Sequence, residues 1–275
     1  MTTDVLVPAL PAGARPQKVT QARVALSEWT KLRSVRSTRY SLLAMAVFTI
    51  GIAALATAVV SARWPHMAPH ERAHFHPLEA TLAGVQLGQL ALGVLGVLLI
   101  TAEYSTGMIR ATLTAVPKRL PVLWAKAGVF ALVALALSIP ATLAAFFVGQ
   151  SLLSGRHLEL AFSAPGVARA VIGAGLYLTV VGLFAVGIGT IVRNTAGGIA
   201  TFVAVMFVVP PLMNVLPTSW NNAASPYLPS NAGQAIMSIT HQAHTLAPWA
   251  GFAVFCAYAA AALAIGALVL TRRDA

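Results

Sequence analysis

The chain has 275 residues, of which 58% are hydrophobic and only 9% charged, with 18 Lys and Arg against 7 Asp and Glu. Soluble domains carry about 25% charged residues, and so few charges do not cover a water-exposed surface. A net charge of +11 would fit nucleic acid in a soluble protein, but here the basic residues flank hydrophobic segments, where they set orientation in a membrane, and no nucleic-acid partner is expected. The one cysteine, Cys256, lies in an apolar run, which excludes an intrachain disulfide and a cysteine-based metal framework.

In chain order, residues 1–19 are rich in Pro, Ala and Gly and read as a flexible leader. Residues 20–39 predict an amphipathic interfacial helix: Ala22, Leu26, Trp29 and Leu32 share one face, with Arg23, Glu28, Lys31 and Arg33 around the others. A tryptophan at the interface and a basic polar face suit a helix lying in the headgroup plane.

Beyond it, Asp, Glu, Lys and Arg are absent from 40–62, 80–102, 127–155, 170–192 and 194–271. About 20 apolar residues rising 1.5 Å each cross a ~30 Å hydrocarbon core. Each of the first four gaps therefore holds one span, and the last holds two around a polar middle. The expected class is an all-α integral membrane protein with a single transmembrane domain over 40–271. Its six spans fall at about 40–61, 80–102, 125–150, 167–192, 196–216 and 248–270, with a tail at 272–275. Fourteen Lys and Arg lie on the side of the N-terminus, against Arg63, Arg72, Arg156 and Arg169 on the other. That asymmetry predicts a multi-pass plasma-membrane protein with both termini cytoplasmic.

The span interiors hold no Asp, Glu, Lys, Arg or His, so a proton relay is not expected. No phosphate-binding loop is present either, since no Lys follows a Gly anywhere in the chain. Energy for any transport would have to come from a separate ATPase. In the second span Gln86 and Gln89 sit three apart beside Gly84 and Gly88, a pattern that fits helix–helix contact or the lining of a pathway.

Two loops carry further signals. After the second span, EYSTGMIRATLTAVPKR (103–119) predicts a short cytoplasmic helix. Met108, Ile109, Thr112, Leu113 and Val116 give it an apolar face, and Pro117 ends it. Such a helix suits a groove on a partner or the membrane surface. On the other side, His70, Glu71 and His74 fit H-E-x-x-H, a zinc-site pattern. The segment is boxed in by Pro69 and Pro77, which leaves His70 and His74 as metal candidates secondary to a solvated, pH-sensitive loop. Pro210–Pro211 predict an end or kink in the fifth span, and Pro229, Ser230 and Asn231 the start of a helix over 232–240.

Together, S-E-W-T-K-L-R-S before the first span and E-Y-S-T-G-M-I-R-A-T-L after the second resemble the type-2 permease family of ATP-binding-cassette transporters, in particular compact six-span bacterial permeases. Tyr227–Gln234, YLPSNAGQ, is similar to a stretch of actinobacterial members. Met108 departs from the Thr that related sequences often carry. The resemblance implies a permease subunit of an exporter that dimerises with a second permease copy and is driven by a separate ATPase. It implies that Glu28, Trp29 and Lys31 belong to a membrane-lying elbow helix, and that Glu103, Tyr104, Gly107 and Arg110 belong to the coupling segment that contacts the ATPase. No catalytic residue and no cofactor is expected on this chain, with ATP and magnesium reaching the assembly through the partner. The alternatives are a membrane metalloprotein built on His70, Glu71 and His74, and a membrane assembly protein without transport activity.

Overall fold

The structure is a computed structural model that describes residues 20–107, 119–240 and 244–272. The expected leader, the amphipathic helix expected around Met108–Val116, Arg110 with it, and the last three residues lie outside the described residues. Among the described residues the fold is helical throughout, and six helical segments are long and apolar enough to cross a membrane.

Helix α1 (Gln21–Ser34) precedes the bundle. Val35 is extended (φ −77°, ψ 119°) and separates α1 from α2 (Arg36–Arg63), the first span. A short helix, α3 (Pro69–Ala73), follows in the connecting loop. The second span is built in two pieces, α4 (Pro77–Leu82) and α5 (Val85–Ser105). The third and fourth spans are α6 (Arg119–Ser154) and α7 (Val167–Val192). These ranges extend the predicted spans by a turn or more at several ends, because helices continue into the interface beyond the charge-free core.

Helix α7 is the centre of the bundle, with 78% of its apolar window buried, against 22% for the first span and 17% for the fifth. Small residues make this position possible. A Cβ on Gly187 would come within 2.7 Å of Ala262, and one on Gly175 within 2.8–3.0 Å of Ile139, so neighbouring helices approach to backbone contact. Between the fourth and fifth spans the chain reverses over two residues. Arg193 adopts a left-handed conformation (φ 57°), and Asn194 caps α8 (Thr195–Val203) by accepting a hydrogen bond from the Gly197 N–H at 2.9 Å.

The diproline in the fifth span neither stops nor simply kinks it. Residues Ala204–Val208 widen into a π-helical turn that passes into α9 (Val209–Leu212), and the segment ends in a 3-10 turn at Val215. Pro210 and Pro211 have no N–H to give to the preceding turn, and the wider turn directly before them absorbs that mismatch. Beyond α10 (Thr218–Ala224), α11 covers Pro229–Gln234 and passes into a 3-10 turn at Ala235–Met237. The helix predicted over 232–240 is thus shorter and starts earlier, Pro229 serving as its first residue and Ser238 being already extended (ψ 132°). Helix α12 (Pro248–Arg272) is the sixth span.

Helix α11 is pushed into the bundle rather than lying over it. Ser230, Ala232 and Gly233 are buried, and a Cβ on Gly233 would meet the rings of Tyr177 (2.5 Å) and Phe255 (2.7 Å). A Cβ on Gly251 of α12 would come just as close to the Ala232 carbonyl oxygen, at 2.6 Å. Two polar side chains of this uncharged helix find partners inside the protein: Asn231 donates to the Ser225 carbonyl at 2.9 Å and Gln234 accepts from Gln86 at 3.0 Å.

Candidate functional site

Four charged side chains meet at the end of the bundle where α1, the close of α5 and the opening of α6 converge. Lys126 is the hub: its Nζ lies 2.7 Å from Glu28 Oε2 and 2.7 Å from Glu103 Oε1. Lys31 completes the ring, 2.7 Å from Glu28 Oε1 and 3.2 Å from Glu103 Oε1. The side chains of Lys126 and Glu28 are 4% and 2% exposed, so the pair is shielded from water, whereas Lys31 is one-third exposed. Two lysines and two carboxylates balance, which is the condition under which charge tolerates such burial. Burial works against the charge of Glu28, yet Lys126 and Lys31 outweigh it and hold the carboxyl below its ordinary range. Desolvation also opposes the charge on Lys31, and Glu28 with Glu103 carries its pKa above the ordinary value.

The face of α1 that meets the bundle is therefore the charged one. Val24, Glu28 and Leu32 are buried, while Leu26 (64% exposed) and Trp29 (46%) point away. Of the apolar face predicted for the membrane interface, Ala22, Leu26 and Trp29 are exposed and Leu32 turns inward. Glu28 turns inward because its charge is balanced there by Lys126 and Lys31.

Of the four residues that the resemblance assigns to partner contact, Glu103 is held by Lys126 and Lys31, and the Tyr104 ring lies 5.2 Å from the Arg193 guanidinium. Arg193 also donates to the Val269 carbonyl at 2.9 Å, which ties α7 and α12 to the same end. Gly107 is exposed with φ 69° and open space around it, at the point where the described chain stops. Arg110 lies outside the described residues. The side chains of Glu103 and Tyr104 are thus engaged within the chain, and Gly107 is where the backbone turns outward.

The opposite end contains a polar cluster. Gln89 donates to Gln86 Oε1 (2.7 Å), Gln86 donates to Gln234 Oε1 (3.0 Å), and the buried Tyr177 hydroxyl donates to Gln89 Oε1. Gln89 is 1% exposed and Gln86 is exposed. The glutamine pair read from the sequence thus divides: Gln89 holds α5 to α7, and Gln86 lines a cavity of about 520 Å³ between α4, α5 and α11. Gln89→Leu should cost about 1–3 kcal/mol by stranding the Tyr177 hydroxyl. Gln86→Leu, facing open space, should cost less than half as much. Thermal unfolding of both variants in the same detergent checks the order.

The histidine motif is occupied by local structure. Glu71 accepts the Ala68 N–H at 2.9 Å and caps α3, and His74 Nδ1 lies 2.8 Å from the His70 carbonyl oxygen. Arg72 stacks over Trp64 at 5.6 Å. Among the described residues, no three His, Cys, Asp or Glu side chains converge as a metal site would require. Sequence reasoning did not anticipate Lys126 as the hub, Tyr177 and Gln234 as partners of the glutamines, or the cavity. Lys126 alone left a trace, as the charge that stands immediately before the third apolar gap.

Compared with known proteins, the chain matches no family model and no curated sequence.

Proposed function

We propose that the chain is the permease subunit of an ATP-binding-cassette exporter, set in the plasma membrane with both termini cytoplasmic and working as a dimer with a separate ATPase. The observation that carries this reading is the buried ring of Glu28, Lys31, Glu103 and Lys126. Burying three of these four charges, Glu28, Glu103 and Lys126, is an expensive way merely to hold a helix, since apolar packing does that at least as well. It does make a directional joint. The ring fixes α1, the exit of the second span and the entry of the third to one another, at the root of the segment 108–118. A push delivered there is passed to two spans and the interfacial helix together.

Three sequence features support the same reading: span interiors free of Asp, Glu, Lys, Arg and His, the absence of a phosphate loop, and the resemblance of residues 27–34 and 103–113 to type-2 permeases. On this reading Glu103 transmits rather than touches, and the surface offered to the ATPase begins at Gly107 and continues through Arg110. The sparsely buried first and fifth spans are free to meet a second copy. Reversing the charge at Arg110 tests the assignment. Arg110→Glu should reduce the ATPase recovered with the tagged chain about ten-fold, a change of about 1.4 kcal/mol, with unchanged thermal unfolding. Equal recovery would count against the contact.

A further inference from the structure

The cavity at the end remote from α1 combines features that specify a ligand class. Its apolar wall is formed by Leu82, Met237 and Leu246, its floor by the carboxamides of Gln86 and Gln234, and Glu79 lies at its rim. At about 520 Å³ it falls within the range of small-molecule sites, roughly 300–1,000 Å³. Gln86 lies nine residues into the second span, roughly 13 Å along the helix axis from Pro77. Gln86 accepts from Gln89 (2.7 Å) and donates to Gln234 (3.0 Å), so these carboxamides give the cavity a fixed polar edge.

Glu79 supplies the sign. It is exposed, and among the described residues it makes no ion pair. Among the described residues it is the one charged residue in the lining. Arg169, the cation on the adjoining wall, is already committed: it donates to the carbonyls of Ile236 (2.8 Å) and Ser238 (2.9 Å) and lines a separate space of about 40 Å³.

We propose that this cavity binds a lipophilic organic cation, its apolar body against Leu82, Met237 and Leu246, its charge facing Glu79, and its polar edge on the Gln86–Gln234 pair. The lining residues all belong to one chain, and the proposal does not depend on the permease reading, because binding is measured without any ATPase.

The test uses tetraphenylphosphonium and the purified chain in phosphatidylcholine nanodiscs, with empty nanodiscs subtracted. Saturable binding at one cation per chain is expected. Tetraphenylborate, of the same shape and opposite charge, should give no saturable signal. Glu79→Gln should raise the Kd of the cation about ten-fold, with thermal unfolding unchanged, and Glu79→Asp should recover most of the affinity. Met237→Trp, which fills the space without touching Glu79, should abolish binding. Equal binding of the two ions, an unaltered Kd in Glu79→Gln, retention of binding in Met237→Trp, or no saturable binding of the cation would each overturn the proposal.

Discussion

Lys126→Met should be among the most damaging single substitutions in the chain, lowering stability by about 3 kcal/mol and releasing α1 from the bundle. The side chain is 4% exposed and stands between two carboxylates, each at 2.7 Å. Methionine fills a similar volume, so the loss is electrostatic. Glu28 and Glu103 would remain beside each other with Lys31 as their shared counter-charge, and Lys31 is one-third exposed. The second variant makes the prediction specific. Glu103→Gln combined with Lys126→Met leaves one carboxylate facing one lysine, and should recover more than half of the lost stability. A simple volume or helix-propensity effect would instead add. Thermal unfolding in detergent reads the energies, and limited proteolysis at the extended Val35 link reads whether α1 has detached. Wild-type behaviour of Lys126→Met would show that the ring does not hold the helix.

Gly84→Ala should be about as costly, at about 3 kcal/mol, for a steric reason. Gly84 sits between α4 and α5, in ordinary helical backbone (φ −64°, ψ −19°), so alanine meets no conformational penalty there. A Cβ at this position would overlap the Thr49 carbonyl and come within 2.7 Å of the Phe48 carbonyl oxygen. Both obstacles are backbone atoms of the first span, which no rotamer change can move aside. The first and second spans must separate, and the packing of Gly88 on Thr49 one turn further along separates with them. Gly51 and Gly128 provide the contrast. Nothing lies within 4 Å of a Cβ at either, and alanine there should stabilise by about 0.5–1 kcal/mol. Unfolding temperatures of the three alanine variants, compared in one detergent, decide it. A mild effect at Gly84 would mean that the two spans are not in backbone contact.

The sequence was most informative where charge marks boundaries. Arg169 and Arg193 bracket the fourth span, and the observed helix covers the predicted residues, Val167–Val192. The sixth span, predicted to end at 270, ends at Arg272, within one turn. Helix faces were harder to read, because hydrophobicity distinguishes inside from outside only when the outside is water. In a bilayer the lipid face is also apolar, so the apolar face of α1 did not reveal that Val24 and Glu28 are the residues packed inward. What identifies interior positions here is small size and the need for a polar partner, as at Gly175 and Gln89. The partners themselves were not legible. Glu28 and Glu103 are 75 residues apart in the chain, and the hydrogen bond from Gln86 reaches 148 residues to Gln234. Only packing brings such groups together, and the cavity beside Glu79 exists only because α11 enters the bundle.

These contacts bear on the proposed function in a definite way. Under the permease reading, movement begins at Gly107 and the segment beyond it, and the charge ring distributes that movement. Lys126→Met should then weaken transport even at temperatures where the variant stays folded. The measurement that tests the central claim most directly is purification of the wild-type chain from its native membranes in mild detergent, with identification of whatever accompanies it. An ATPase bearing a phosphate loop, present at one copy per chain and lost on substitution of Arg110, is the predicted result. A homogeneous preparation of this chain alone, with no nucleotide-binding partner, would contradict it.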